Sequence, residues 1–222
     1  MIKKIALFVL LVVSMYIYIP AQTDNKSKQI LDQSSAKNND YKTIKADFKF
    51  ATTNLQNDKS AHESGKIWMK GDKYHLTMSN SDITYDGKAI YTFLKESNEV
   101  NITKSTPSKK DKGDFFFSNP RDVFKIYSKD FKSKLIQEMS VGMILCYEID
   151  LYPIDLKTKY TRIKLHIDKS NLQIIDLKIF QKDGTQYLME FSNFAANTDI
   201  NDTEFTFDAK KYPKAEVNDM RF

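Results

Sequence analysis

Side chains alternate between apolar and polar along most of this chain, and that period of two restricts the fold more than any other feature. In GKIWMKGDKYHLTM, residues 65–78, Gly65, Ile67 and Met69 share one face of a first segment. Tyr74, Leu76 and Met78 share one face of a second, while Lys66, Lys70, Lys73 and Thr77 point the other way. Such alternation marks β-strands with one dry and one wet face. It recurs at Ala46, Phe48 and Phe50, at Ile163, Leu165 and Ile167 against Arg162, Lys164 and His166, and at Ile175, Leu177 and Ile179 against Asp176 and Lys178. Asp86-Gly87, Lys169-Ser170-Asn171 and Asp183-Gly184 supply turns, so consecutive strands are antiparallel neighbours. EFTFD, 204–208, reads as a last strand, which makes about eleven in all.

Helices are few. Residues 22–40 are polar with an apolar patch at Ile30, Leu31 and Ala36, capped by Asp24 or Ser27 and ended by Asn39-Asp40-Tyr41. In SNPRDVFKIYSKDF, Pro120 suits a first helical turn behind Ser118 or Asn119, and Val123, Phe124, Ile126, Tyr127 and Phe131 fall on one apolar stripe. Phe115, Phe116 and Phe117 before it either pack against the end of the sheet or face a ligand. Residues 105–114, STPSKKDKGD, read as a charged loop.

Two sheets could cover each other's dry faces in a filled sandwich, but that needs crossovers, and these connections read as a meander. A long antiparallel meander curls on itself, and at about eleven strands the interior is wider than side chains of the strands fill. The expected fold is mainly β (α+β): an unclosed antiparallel barrel with two or three short helices as a lid over an apolar cavity.

The chain opens MIKK, runs apolar from Ile5 to Ile19 and reaches Pro20-Ala21-Gln22. This reads as a secretory signal, residues 1–21, cleaved before a single domain, 22–222; a membrane anchor is the alternative, for which the run is short. Losing Lys3 and Lys4 lowers the net charge from +5 to +3, and lysines spread through the chain do not suggest nucleic acid as partner. Cys146 is the only cysteine, so no intramolecular disulfide can form, and in MILCYEIDL it reads as a buried thiol.

Signatures of catalysis are missing. Six glycines make no phosphate cradle and no G-x-S-x-G is present. His62, His75 and His166 fall in no metal-ligand spacing, and the last two occupy wet phases and read as solvated surface. No catalytic residue, metal or cofactor is expected.

Longer stretches carry a resemblance. FKFATTNLQNDKSAHESGKIWMKGDKYHLTMSNSDITYDGKAIYTFLKESNEVNIT, then NPRDVFKIYSKDF, YEIDLYP and the closing IDLKIFQKDGTQYLMEFSNFAANTDINDTEFTFDAKKYPKAEVNDMR, resemble LolA-type outer-membrane lipoprotein carriers, in the style of Bacteroidetes-like bacteria. The G-x-I-W-x-K strand, the D-G-K hairpin and the terminal F-x-F-D carry it together. The resemblance implies an unclosed barrel with a helical lid and no cofactor. It also implies a monomeric periplasmic carrier that takes acylated lipoproteins from an inner-membrane lipoprotein-releasing ABC transporter to an outer-membrane acceptor, protein or membrane.

The apolar phases then nominate Phe48, Phe50, Ile67, Met69, Tyr74, Leu76, Met78, Ile83 and Tyr85 for an acyl-chain cavity, with filled core as the alternative. Ile30, Leu31, Val123, Phe124 and Tyr127 are nominated for the lid. Trp68, in the opposite phase, packs outside. Many proteobacterial relatives follow this strand with an Arg in K-R-P that holds the lid; here the segment reads Lys70-Gly71-Asp72, so Lys70 is the candidate latch. A lipid-sensing regulatory module on the same half-barrel, and a lipid or glycan hydrolase, are the rival readings.

Overall fold

The computed structural model describes residues 25–57, 59–104, 120–124 and 130–221. The expected signal segment, the 105–114 loop, Phe115–Phe117, Ile126 and Tyr127 lie outside the described residues. The chain runs α1 (Asn25–Asp40), β1 (Thr43–Asn54), β2 (Lys59–Lys70), β3 (Lys73–Met78), β4 (Ser81–Tyr85), β5 (Ala89–Leu94) and β6 (Glu99–Lys104). It continues through α2 (Arg121–Phe124), β7 (Phe131–Val141), β8 (Ile144–Pro153), β9 (Tyr160–Asp168), β10 (Ile174–Gln181), β11 (Thr185–Ala196) and β12 (Glu216–Asp219).

The twelve strands of the described residues form one sheet in the order β12-β6-β5-β4-β3-β2-β1-β11-β10-β9-β8-β7. Two meanders, β1–β6 and β7–β11, are joined where β1 pairs with β11, Phe48 opposite Phe191. The ends, β12 and β7, do not pair with each other, so the barrel is open. The Asp86-Gly87 turn forms as its residues dictate. Gly87 takes φ +96°, open to a residue without Cβ, and the Asp86 carboxylate accepts from the amides of Lys88 and Ala89 at 2.7 and 2.8 Å.

Local rules failed in four places. EFTFD is not a strand: Asn201 caps a 3-10 turn, Asp202–Phe205, that ends the run after Phe205 is buried. The twelfth strand is instead Glu216–Asp219, parallel to β6. A bulge in β10 between Ile174 and Asp176 puts Ile174, not Ile175, in the core. Phe131 begins β7 rather than ending a helix, and Ser27 lies inside α1, where its hydroxyl meets that of Ser133 at 2.8 Å.

The core lies on the concave face, where residues of β1–β3 and β7–β11 join α1 and α2 in one cluster. The convex face has two coverings. Over β5 and β6, the C-terminal segment lays Phe207 on Tyr91 (4.8 Å between centroids) and Tyr212 on Phe93 (4.3 Å), sealing Ala89, Val100 and Ile102. Over β8–β10 the covering is ionic. His166 was expected to be solvated, yet only 14% of its side chain is exposed, because cross-strand carboxylates close over it. Its Nδ1 meets Asp176 at 2.7 Å and its Nε2 meets Glu148 at 3.4 Å. Cys146 is buried beside them, its thiol pushed up by burial and by Asp168 and Asp176.

The hydrogen bond with Asp176 raises the His166 pKa above 6.5, against burial and with help from Glu148. Burial alone would raise Glu148, but hydrogen bonds from Lys164, Gln137 and His166 outweigh it and hold that carboxyl low. A raised folded-state pKa means that the His166 contribution is complete below the unfolded value near 6.5 and is lost as pH climbs through the folded value. Thermal denaturation should therefore show Tm falling over that window in the native chain and a flatter profile in His166→Gln. Parallel profiles would contradict this.

Candidate functional site

Even-numbered positions of β1 and β3 and odd-numbered positions of β2 and β4 face inward, as the pairing of Ala46 with Ile67, Ile67 with Leu76 and Leu76 with Ile83 requires. Of the nominated cavity residues, Phe48, Ile67, Met69, Tyr74 and Leu76 are buried, and Phe50, Met78, Ile83 and Tyr85 are half-buried against the same cluster. The nominated lid residues Ile30, Leu31, Val123 and Phe124 are buried with them. Phe124 sets its ring 4.9 Å from Phe191 and 6.0 Å from Phe194. The wall therefore includes residues that were not nominated: Ile149 and Leu151 on β8, Ile163, Leu165 and Ile167 on β9, Leu177 on β10 and Met189 on β11. The period-two signal was present in these strands too.

Gly65 makes room for this wall. A Cβ there would lie 1.9 Å from the Thr77 carbonyl oxygen and 2.9 Å from the Phe48 ring, so the Phe48 ring lies across bare backbone.

The docked side of α1 is mostly polar. Ser27, Ile30, Leu31, Ser34, Ser35 and Asn38 are its buried residues, and only two of them are apolar. Ser34 Oγ donates to the Leu172 carbonyl (2.8 Å) and Lys37 Nζ to that of Asn171 (2.7 Å), tying α1 to the β9–β10 turn. Two buried hydroxyls in this interior, Ser35 and Tyr74, have no hydrogen-bond partner among the described residues. Burial, with Tyr85 adjacent, pushes the Tyr74 pKa up to about 12.

The family model described as outer membrane lipoprotein carrier protein LolA matches residues 17–144, more than half of the chain. The chain belongs to the LolA family. Among solved structures, an uncharacterized conserved protein from Thermus thermophilus is 12% identical, with TM-score 0.56 over 87% of this chain and 99% of that one. A domain assigned to outer-membrane lipoprotein sorting from Vibrio parahaemolyticus is 11% identical, with TM-score 0.44 over 82% and 97%. A LolA superfamily protein from Nitrosomonas europaea is 13% identical, with TM-score 0.40 over 82% and 97%. No curated protein matches in sequence.

In this LolA-family member Lys70 stands on the convex face. Among the described residues its partners are the Ile200 carbonyl (3.0 Å) and Asp202 (3.2 Å), both in the C-terminal segment and neither in α1. Trp68 is also outside, stacked on His75 at 5.3 Å, and His75 is paired with Glu204 rather than freely solvated. Because the Lys70 pair is substantially exposed, it contributes under about 1 kcal/mol. Lys70→Ala should therefore lower thermal stability only slightly; a Tm loss of more than about 4 °C would contradict this.

Proposed function

We propose that this LolA-family chain is a periplasmic carrier that shields the acyl chains of lipoproteins and moves them from the inner to the outer membrane. Each methylene removed from water is worth about 0.8 kcal/mol, so a lipoprotein with two or three acyl chains would lose tens of kcal/mol, in order of magnitude, on entering water bare. A carrier must cover those chains and still let them go. The observation that carries the reading is the apolar concave face lidded by a helix whose docked side is mostly polar: four of its six buried residues are serine or asparagine. Such a lid gains little from its own seat, so an acyl chain can take its place on the face. The half-buried Phe50, Met78, Ile83 and Tyr85 are where a chain meets the face first, and Phe48, Ile67, Met69, Tyr74 and Leu76 form the bed exposed when the lid lifts. Pliable methionines at Met69 and Met78 suit a surface that must accept chains of different length.

In this reading the donor is a lipoprotein-releasing ABC transporter in the inner membrane and the acceptor lies in the outer membrane. Native mass spectrometry of the protein isolated from the periplasm tests it: lipoprotein or acyl chain bound in stoichiometric amount is expected. Depletion should leave lipoproteins in the inner membrane. An empty protein together with unchanged lipoprotein sorting would overturn the reading. Turnover of a lipid or glycan lost on mutating one carboxylate would replace it with a hydrolase, and an anti-sigma factor in place of lipoproteins would replace it with a sensor.

A further inference from the structure

The β7–β8 hairpin ends in an apolar tip. Val141, Met143, Ile144 and Leu145 surround Gly142, where turn chemistry usually places Asn, Asp or Ser beside glycine. Met143 is fully exposed (104%), Leu145 is 50% exposed and Ile144 37%. Val141 pairs with Ile144 and Ser140 with Leu145, so Ile144 and Leu145 point to opposite faces and the tip is apolar on both sides. Three successive exposed apolar side chains are a patch, not scatter.

Its size decides what it meets. Those three side chains expose a few hundred Å², well short of the roughly 800 Å² per partner that a stable protein interface needs. A second copy is therefore a poor occupant. A narrow apolar projection fits the interfacial layer of a bilayer, which closes around any shape. Lys26 and Lys169 stand just inside the tip, both beside Glu138, while Asp168 is held by the Ser170 amide and hydroxyl.

The tip also adjoins the seat of the helix. An open concavity of about 420 Å³ lies between Met143, Ile144 and Leu145 and the Asp168–Ser170 stretch, and the Lys169 amide donates to the Leu145 carbonyl at 3.0 Å. The same turn supplies the Asn171 and Leu172 carbonyls that hold Lys37 and Ser34 of α1, and Leu172 sits at φ +60°, a conformation costly for a leucine.

We propose that the β7–β8 tip inserts into the surface of a lipid bilayer and that this contact loosens the turn on which α1 is seated. The proposal rests on the carrier reading for its purpose, not for its test. Full-length mature protein is floated with vesicles of phosphatidylethanolamine and phosphatidylglycerol. Met143→Asp and the double variant Met143→Asp/Leu145→Asp should lower the vesicle-bound fraction about ten-fold or more. Ile154→Asp, which removes an exposed apolar residue at the other end of β8, should leave it unchanged. In a Trp68→Phe background, Met143→Trp should shift its emission to the blue on adding vesicles, and protection of the α1 amides from hydrogen exchange should fall.

Equal flotation of all variants, no blue shift, or unchanged α1 protection would overturn the proposal. So would a concentration-dependent dimer abolished by Met143→Asp, which would make the tip a contact between copies. Displacement of a fluorescent fatty acid, measured without vesicles, separates the two readings. Acyl binding retained by Met143→Asp with flotation lost supports both; flotation without any acyl binding leaves the tip standing and removes the carrier.

Discussion

Gly65→Ala is expected to lower Tm by roughly 10 °C, through a loss of about 3 kcal/mol, and, in the carrier reading, to remove acyl-chain binding with it. The cause is space, since Gly65 is not among the residues of positive φ. The new Cβ would sit 1.9 Å from the Thr77 carbonyl oxygen, which belongs to the neighbouring strand and cannot rotate away, and 2.9 Å from the Phe48 ring, which could. Relief therefore requires β2 and β3 to part beside Met78, the residue opposite Gly65. Shrinking the ring separates the two clashes. Adding Phe48→Leu to Gly65→Ala should recover only a small part of the loss, because the carbonyl contact remains. Full recovery in thermal denaturation would show that the ring alone is the obstacle.

In the carrier reading, cross-linking α1 to β7 should stop loading outright. The Ser27 and Ser133 hydroxyls lie 2.8 Å apart and both residues are buried. Cysteines at both positions are placed for a disulfide of about 2.05 Å S–S length, and the buried Cys146 does not compete. The oxidised double variant should bind no fluorescent fatty acid and accept no lipoprotein, and reductant should restore both. Each single variant should bind as the native chain does. Loading at the native rate by the oxidised form would mean that acyl chains reach the concave face without moving α1, and the carrier reading would need another gate.

The strands were legible because their dry faces repeat every second residue, and the Asp86-Gly87 turn because its chemistry is local. What escaped the sequence was set at longer range. Ile174 replaced Ile175 because the register with β9 shifts at Asp176, and nothing in β10 alone announces that bulge. Phe205 and Phe207 alternate like a strand yet pack as single anchors, because Asn201 turns the backbone first. The β12 segment is too short and polar to show a period, and it pairs with β6 after a long return. His166 stands in a wet phase, and only its neighbours across β8 and β10 reveal that carboxylates close over it.

The site was legible in part for the same reason. Periodicity picks out dry faces but not which of them meet, so Phe48 to Tyr85 were named while Ile149, Ile163 and Met189 were not. The seat of α1 was the least readable. Three serines and an asparagine facing inward give no amphipathic stripe, and the acceptors of Ser34 and Lys37 lie more than 130 residues away.

The pairing of β1 with β11 has a consequence for how the molecule is made. It stitches Ile44 to Ala196 and Asn54 to Thr185, so the first strand stays half-zipped until almost the whole polypeptide is available. A chain that emerges amino end first can assemble β1–β6 early, by local contacts, but with a bare margin along β1. The last hairpin to arrive closes that margin, and only then is there an inside at all.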